Sequence, residues 1–136
     1  MFNDHYVKLK VEAKKLGYET LLLSNTYGTA IVYHLNKYIC ITKKSGEVNS
    51  IFEFAHEIGH CLQFRKIWNK LNCDEDKVKD YYREKNKSKT LFLWDEVDAW
   101  IKGYFILKRN SIDTKGYIQH ASHCVKSHSK RSVKKT

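Results

Sequence analysis

Apolar residues recur at helical spacing in four stretches of the chain, and a β-branched, aromatic block separates the first stretch from the second. Tyr6, Leu9, Ala13 and Leu16 form one stripe against Lys8, Lys10, Glu12 and Lys14. This predicts a helix from about Tyr6 to Leu16, with Gly17 as its stop. The apolar run Leu21-Leu22-Leu23 reads as a short strand, and Ser24 to Gly28 has turn chemistry. Thr29 to Leu35 reads as a second strand, Asn36-Lys37 as a hairpin turn, and Tyr38 to Thr42 as a strand pairing back. The expectation is a small antiparallel sheet of about three strands.

Helical periodicity then returns. Ser50 and Glu53 match a capping box, and Ile51, Ala55, Ile58 and Leu62 follow on one face. Arg65 to Thr90 is polar and reads as a surface insertion bordering a cleft, with a short exposed helix from Asp74-Glu75-Asp76 through Tyr81-Tyr82. Leu91 to Arg109 reads as a helix with Leu93, Val97, Trp100, Tyr104 and Leu107 as its apolar seam and Asp95, Asp98, Lys102 and Arg109 on its wet face. Ser111 and Asp113 open a fourth helix carrying Tyr117, Ile118, Ala121 and Val125. The pattern predicts an α+β fold, one domain over residues 1–125 followed by a basic tail over 126–136, with the sheet packed against helices.

Chemistry concentrates in His56-Glu57-Ile58-Gly59-His60, an H-E-x-x-H sequence inside the second helical stretch. Histidines four apart share a helix side, so both imidazoles can hold one metal ion. The intervening glutamate can take the proton of a zinc-bound water without being a ligand. A catalytic zinc site has three protein ligands. Glu96 falls beside an apolar seam, where a lone carboxylate is costly to bury, and helical phase disfavours Asp95 and Asp98. The small residues Ala99 and Gly103, one and two turns on, allow close approach of the two helices. Tyr104, Tyr117, His120 and His123 are candidate donors to an oxyanion, with no choice among them from spacing.

Phe54-Ala55-His56-Glu57-Ile58-Gly59-His60 followed by Glu96-x-x-Ala99 resembles the ImmA/IrrE-type metallopeptidases, compact gluzincin-like proteins of bacteria, phages and mobile elements. The resemblance covers roughly residues 5–110. It implies a zincin-like core with an N-terminal helix, a small sheet, the H-E-x-x-H helix and a helix bearing the third ligand. It also implies zinc held by His56, His60 and Glu96, Glu57 as catalytic base, and a protein substrate, in some members a repressor or regulator. The long charged segment between the motifs departs from the family pattern, as does Trp100, where a small polar residue is common.

Composition narrows the alternatives. The chain has 136 residues and 42% hydrophobic residues, enough for one folded core. It contains no bilayer-length apolar run and no signal-peptide pattern, so a cytoplasmic location and no membrane partner are expected. Cys40, Cys61, Cys73 and Cys124 form no C-x-x-C pair and read as free thiols, Cys61 as a packing residue. The net charge is +10, and Lys126, Lys130, Arg131, Lys134 and Lys135 supply half of it without an acid. That end reads as solvated, with weak nucleic-acid contact as the lesser reading. His120-x-x-His123-Cys124 reads as solvent-facing before it reads as a second metal site, and Trp68, Tyr81, Tyr82 and Trp94 read as core or rim. The alternative to an enzyme is a regulatory or nucleic-acid-binding module on the same fold. A metal-dependent hydrolase of non-peptide amides is a third reading.

Overall fold

The computed structural model describes residues 2–23, 30–43 and 46–132. Among them the order is α1 (Phe2–Lys15), β1 (Glu19–Leu23), β2 (Ile31–Tyr33), β3 (Tyr38–Thr42), α2 (Glu47–Lys70), α3 (Glu75–Lys85), α4 (Lys89–Arg109) and α5 (Tyr117–Ser132). The fold is α+β, with five helices and a small mixed sheet among the described residues. The turn expected over Ser24 to Gly28 lies outside them, as do Thr29 of the expected second strand and residues 133–136 of the basic end.

The sheet corrects the expectation of an all-antiparallel arrangement. Its order is β1-β3-β2, with β3 parallel to β1 and antiparallel to β2. Ile39 and Ile41 of β3 are completely buried, whereas β1 and β2 expose most of their residues. The central strand is the most buried of the three, and its two neighbours are edges among the described residues. Chain order does not reveal this, because β1 pairs with the strand after next.

Helix α2 is the spine. It packs on α1, the sheet and α4, and touches α3 and α5. Its sequence is buried nearly all round between Ser50 and Gly59, which is what a helix surrounded by other elements requires. It begins a turn earlier than the capping box implied. Gly46, at φ 91°, is its N-cap, and Glu47 is already helical. Ser50 and Glu53 therefore lie inside the helix, and the Ser50 hydroxyl caps nothing. Three helical residues precede Ser50, so the backbone amides it would have capped already have partners.

Helix α1 ends at Gly17, whose φ of 89° suits only glycine without strain. Glu12 of α1 is not on a wet face. It is 8% exposed and accepts hydrogen bonds from Arg109 Nε (3.0 Å) and Asn110 Nδ2 (2.8 Å) at the end of α4. Burial alone would raise its pKa; the Arg109 and Asn110 hydrogen bonds outweigh that and lower it. The contact's contribution is thus complete above the ordinary carboxylate pKa and fades as pH falls through the lowered value. Glu12→Ala is expected to cost about 1 kcal/mol at neutral pH, read as a lower urea midpoint with an unchanged slope, and less near pH 3.

The charged segment after the motif is helical. Helix α2 runs on to Lys70, and Asp74 caps α3 through its side chain, accepting from the Lys77 amide at 3.1 Å. Val78 anchors α3, and Tyr82 stacks on Phe64. Trp94 is 65% exposed and belongs neither to core nor to rim. The basic end is also helical: α5 continues to Ser132, so residues 126–132 extend the domain's last helix where a solvated tail was expected. No helix among the described residues is long and apolar enough to cross a membrane.

Candidate metal centre

Two helices build the site, and glycine sets their distance. A Cβ on Gly59 would collide with the Ala99 carbonyl, lying 3.0 Å from its carbon. A Cβ on Gly103 would come within 3.0 Å of the Ala55 backbone and 2.6 Å of the Tyr117 hydroxyl. Helices α2 and α4 therefore meet backbone to backbone. This close approach carries Glu96 over the H-E-x-x-H edge. The buried stripe of α4 is Glu96, Ala99, Trp100, Gly103, Ile106 and Leu107, rotated slightly from the expected seam so that Glu96 lies inside it.

The four residues singled out in the sequence converge. Glu96 Oε2 lies 2.7 Å from His60 Nε2, and Glu96 Oε1 lies 3.5 Å from His56 Nε2. Ligand atoms of His56, Glu57 and His60 lie within 4.8 Å of one another, and Glu57 Oε2 is 3.5 Å from His56 Nδ1. His56, Glu57 and Glu96 are buried, and His60 is nearly so.

Each imidazole is held by neighbours that the motif alone does not name. The His56 ring stacks on Trp100, centroids 4.1 Å apart and planes 11° from parallel. The His60 ring is held through Gln63. The Gln63 amide nitrogen donates to the Asp95 carbonyl (2.9 Å) and to Asp98 Oδ2 (2.8 Å). That turns its oxygen toward His60 Nδ1, 2.9 Å away. An amide oxygen only accepts, so His60 Nδ1 donates and Nε2 is the nitrogen turned to the site. Asp98 is itself held by Lys102 at 2.8 Å, and Asp95 by Lys85 at 2.8 Å. The two aspartates that helical phase set aside as ligands thus support the site one layer out.

Electrostatics follow from burial and crowding. Burial pulls His56 down to about 4 against the opposing pull of Glu96. Burial pushes Glu57 up to about 7, helped by the Glu96 charge. Burial opposes the charged form of His60, but Glu96 and Glu57 outweigh it and raise it to about 9. Glu96 is held well below the usual carboxylate range: its desolvation is overcome by the nearby His56 and His60 imidazoles, His60 at 2.7 Å.

A divalent metal fits this arrangement. His56 Nε2 is buried and has no hydrogen-bond partner, although it faces a carboxylate and a second imidazole. Two imidazole nitrogens and one carboxylate, with the His60 ring held from behind, are donors of the kind that suit a divalent cation.

The remaining expectations divide. The Tyr117 hydroxyl donates to the Trp100 carbonyl, His120 is engaged with Glu53, and His123 is exposed. Tyr104 lines an apolar groove between α4 and α5. None of these four candidate oxyanion donors faces the site. His128 does: its Nε2 is 3.2 Å from Glu96 Oε1, and its ring meets Phe92 edge-on. It went unseen because the basic end was set apart from the domain. Extending the Ala121, Val125 spacing by three residues would have reached it.

A cleft of about 350 Å³ opens over Glu57, His60 and Glu96. Ile31 and Val32 of edge strand β2 form one wall, and Tyr82 and Asn86 at the end of α3 border the opposite side. No family model, curated protein or solved structure matches the chain.

The Gln63 brace yields a direct expectation. Gln63→Ala removes the acceptor of His60 Nδ1 without touching a ligand. Zinc affinity is expected to fall by roughly 10–100-fold, measured by competition with a chelating dye.

Proposed function

We propose that the chain is a zinc metallopeptidase of the ImmA/IrrE type that cleaves a protein substrate inside the cell. The observation that carries this reading is the meeting of the Glu96 carboxylate with the two H-E-x-x-H imidazoles, with the buried Glu57 carboxyl beside them at the floor of a cleft. The fold is read as a zincin-like core on the same grounds, because the H-E-x-x-H helix lies against a small sheet whose edge strand borders the cleft.

His56, His60 and Glu96 would hold the ion. Zinc in such a site lowers the pKa of water to around 7 and polarises a carbonyl. The chain's own residues do the rest. Glu57, a buried carboxyl raised above its usual range, is placed to act as the base: it would accept a proton from the attacking water and pass it to the leaving amine. Gln63 holds His60 through Nδ1, so that Nε2 is the nitrogen free to give up its proton and face the ion. Trp100 keeps the His56 ring in place. Among the described residues strand β2 is an edge strand at the cleft wall, suited to an extended peptide added as a further strand. That edge favours a peptide over a small amide. The family resemblance suggests a repressor or regulator as substrate.

Glu57→Gln tests the reading. The variant is expected to retain zinc and to lose cleavage of a denatured-protein or peptide-library substrate by at least 10²-fold. Wild-type kcat/KM should rise with pH as Glu57 ionises, below the value of about 7 that burial gives it without the ion, because the base is active only when ionised and the ion's charge favours that form. Undiminished cleavage in Glu57→Gln would remove the enzyme reading. Salt-dependent DNA binding indifferent to Glu57 would install the nucleic-acid-binding alternative.

A further inference from the structure

We infer that Glu53, His120 and Cys124 form a second metal site, a clasp for a thiophilic divalent cation such as zinc, joining α5 to α2. One ligand atom from each of the three residues lies within 4.8 Å of the others. Glu53 Oε2 is 2.8 Å from His120 Nε2, and Cys124 Sγ is 3.7 Å from the same nitrogen. Zinc bond lengths of about 2.0–2.3 Å in a tetrahedron place neighbouring ligand atoms roughly 3.3–3.7 Å apart. The sulfur–nitrogen distance already matches, and the oxygen–nitrogen contact needs to open by only about half an ångström.

A second observation points into the cluster. Glu53 is 4% exposed, and its Oε1 has no hydrogen-bond partner. A buried carboxylate oxygen without a donor is costly, and a cation at this place would relieve it. His120 and Cys124 are half-buried, which leaves an open side for entry. They are four apart on α5, so they share a helix side as His56 and His60 do.

The geometry separates this site from a nucleophilic triad. In a triad, the histidine meets its acid through one ring nitrogen and the thiol through the other. Here carboxylate and thiol both converge on Nε2, and one nitrogen cannot serve both. Convergence on a point is what a metal requires. Binding forms bonds from the ion to carboxylate, imidazole and thiolate; the Cys124 thiol proton and the proton that His120 Nε2 shares with Glu53 both leave to solvent. The sequence pairing of His120 with His123 does not survive, since His123 is exposed. Glu53 replaces it from another helix.

The clasp also bears on the first site. His120, Cys124 and His128 lie at successive four-residue steps along α5, and His128 contacts Glu96. Pinning the first two therefore fixes the third. Trp100 lies between the two centres, stacked on His56 and edge-on to His120 with centroids 5.8 Å apart.

Cobalt titration of the reduced full chain tests the assignment. The first site offers no sulfur, so a thiolate-to-cobalt charge-transfer band reports the clasp alone, whether or not the first site binds metal. Wild type is expected to develop the band, saturating at one equivalent of bound ion beyond any taken up by the first site. Cys124→Ser should abolish it, and Glu53→Gln should weaken binding at least tenfold while keeping a native far-ultraviolet spectrum. A variant-free arm uses iodoacetamide on wild type: zinc should protect Cys124 at least tenfold while the exposed Cys73 reacts as before. A wild type without the band, a band that persists in Cys124→Ser, or alkylation of Cys124 indifferent to zinc would overturn the clasp.

Discussion

Gly59→Ala is expected to destabilise the protein by about 3 kcal/mol, although helix propensity alone argues for the opposite sign. In an exposed helix, alanine for glycine stabilises by about 1 kcal/mol. Gly59 is mid-helix and fully enclosed, and its missing Cβ is the space taken by the Ala99 carbonyl. Backbone cannot rotate away as a flexible side chain can, so α4 must move. Overpacking of a core commonly costs about 1–3 kcal/mol, and a backbone collision belongs at the upper end. The same displacement draws Glu96 away from His56 and His60, so zinc affinity should fall with stability. Urea unfolding of the metal-free protein isolates the packing part. A stabilised Gly59→Ala would mean that α2 and α4 do not touch at this point.

Glu96→Ala carries the largest expected effect on metal. It removes the one acidic member of the proposed ligand set, whose other two members are imidazoles. Zinc affinity should drop by more than the roughly 10–100-fold typical of a supporting residue such as Gln63. The metal-free variant should not simply resemble metal-free wild type. Without the carboxylate, His60 loses the hydrogen bond that most raises its pKa, and His128 loses its contact. In wild type the raised His60 contributes stability that is present below the unfolded histidine pKa and is lost as pH rises through about 9. Glu96→Ala should remove that pH dependence, which unfolding at pH 6 and pH 10 would reveal.

Much of the site was legible in the chain because it rests on helical phase. The i, i+4 histidines, the inward Glu96 and the small Ala99 and Gly103 all follow from 3.6 residues per turn, and the structure brings them together. The role of Gly59 was only half visible: it makes room for a neighbouring backbone, which no local pattern encodes. What failed was non-local. Strand order depends on which strand the rest of the chain covers, and here that is β3, third in the chain. The capping-box residues Ser50 and Glu53 looked local, yet Glu53 is committed to His120 on α5. Gln63 resembled an ordinary polar residue because its value lies in an amide orientation set by Asp95 and Asp98. Trp100, a departure from the family pattern, makes sense once its ring is seen against His56. Charge misled at the C-terminal end, where a run of lysines concealed the stripe that brings His128 to Glu96.

The central claim is the ligand set of the first site. X-ray absorption at the zinc edge, on Cys124→Ser loaded with one equivalent, measures it most directly, since the clasp cannot then supply sulfur. The account predicts a first shell of nitrogen and oxygen only, at about 2.0–2.2 Å, with the outer-shell signature of two imidazoles, and loss of that signature in Cys124→Ser/Glu96→Ala. A sulfur shell, a single imidazole, or a spectrum unchanged by the loss of Glu96 would contradict it.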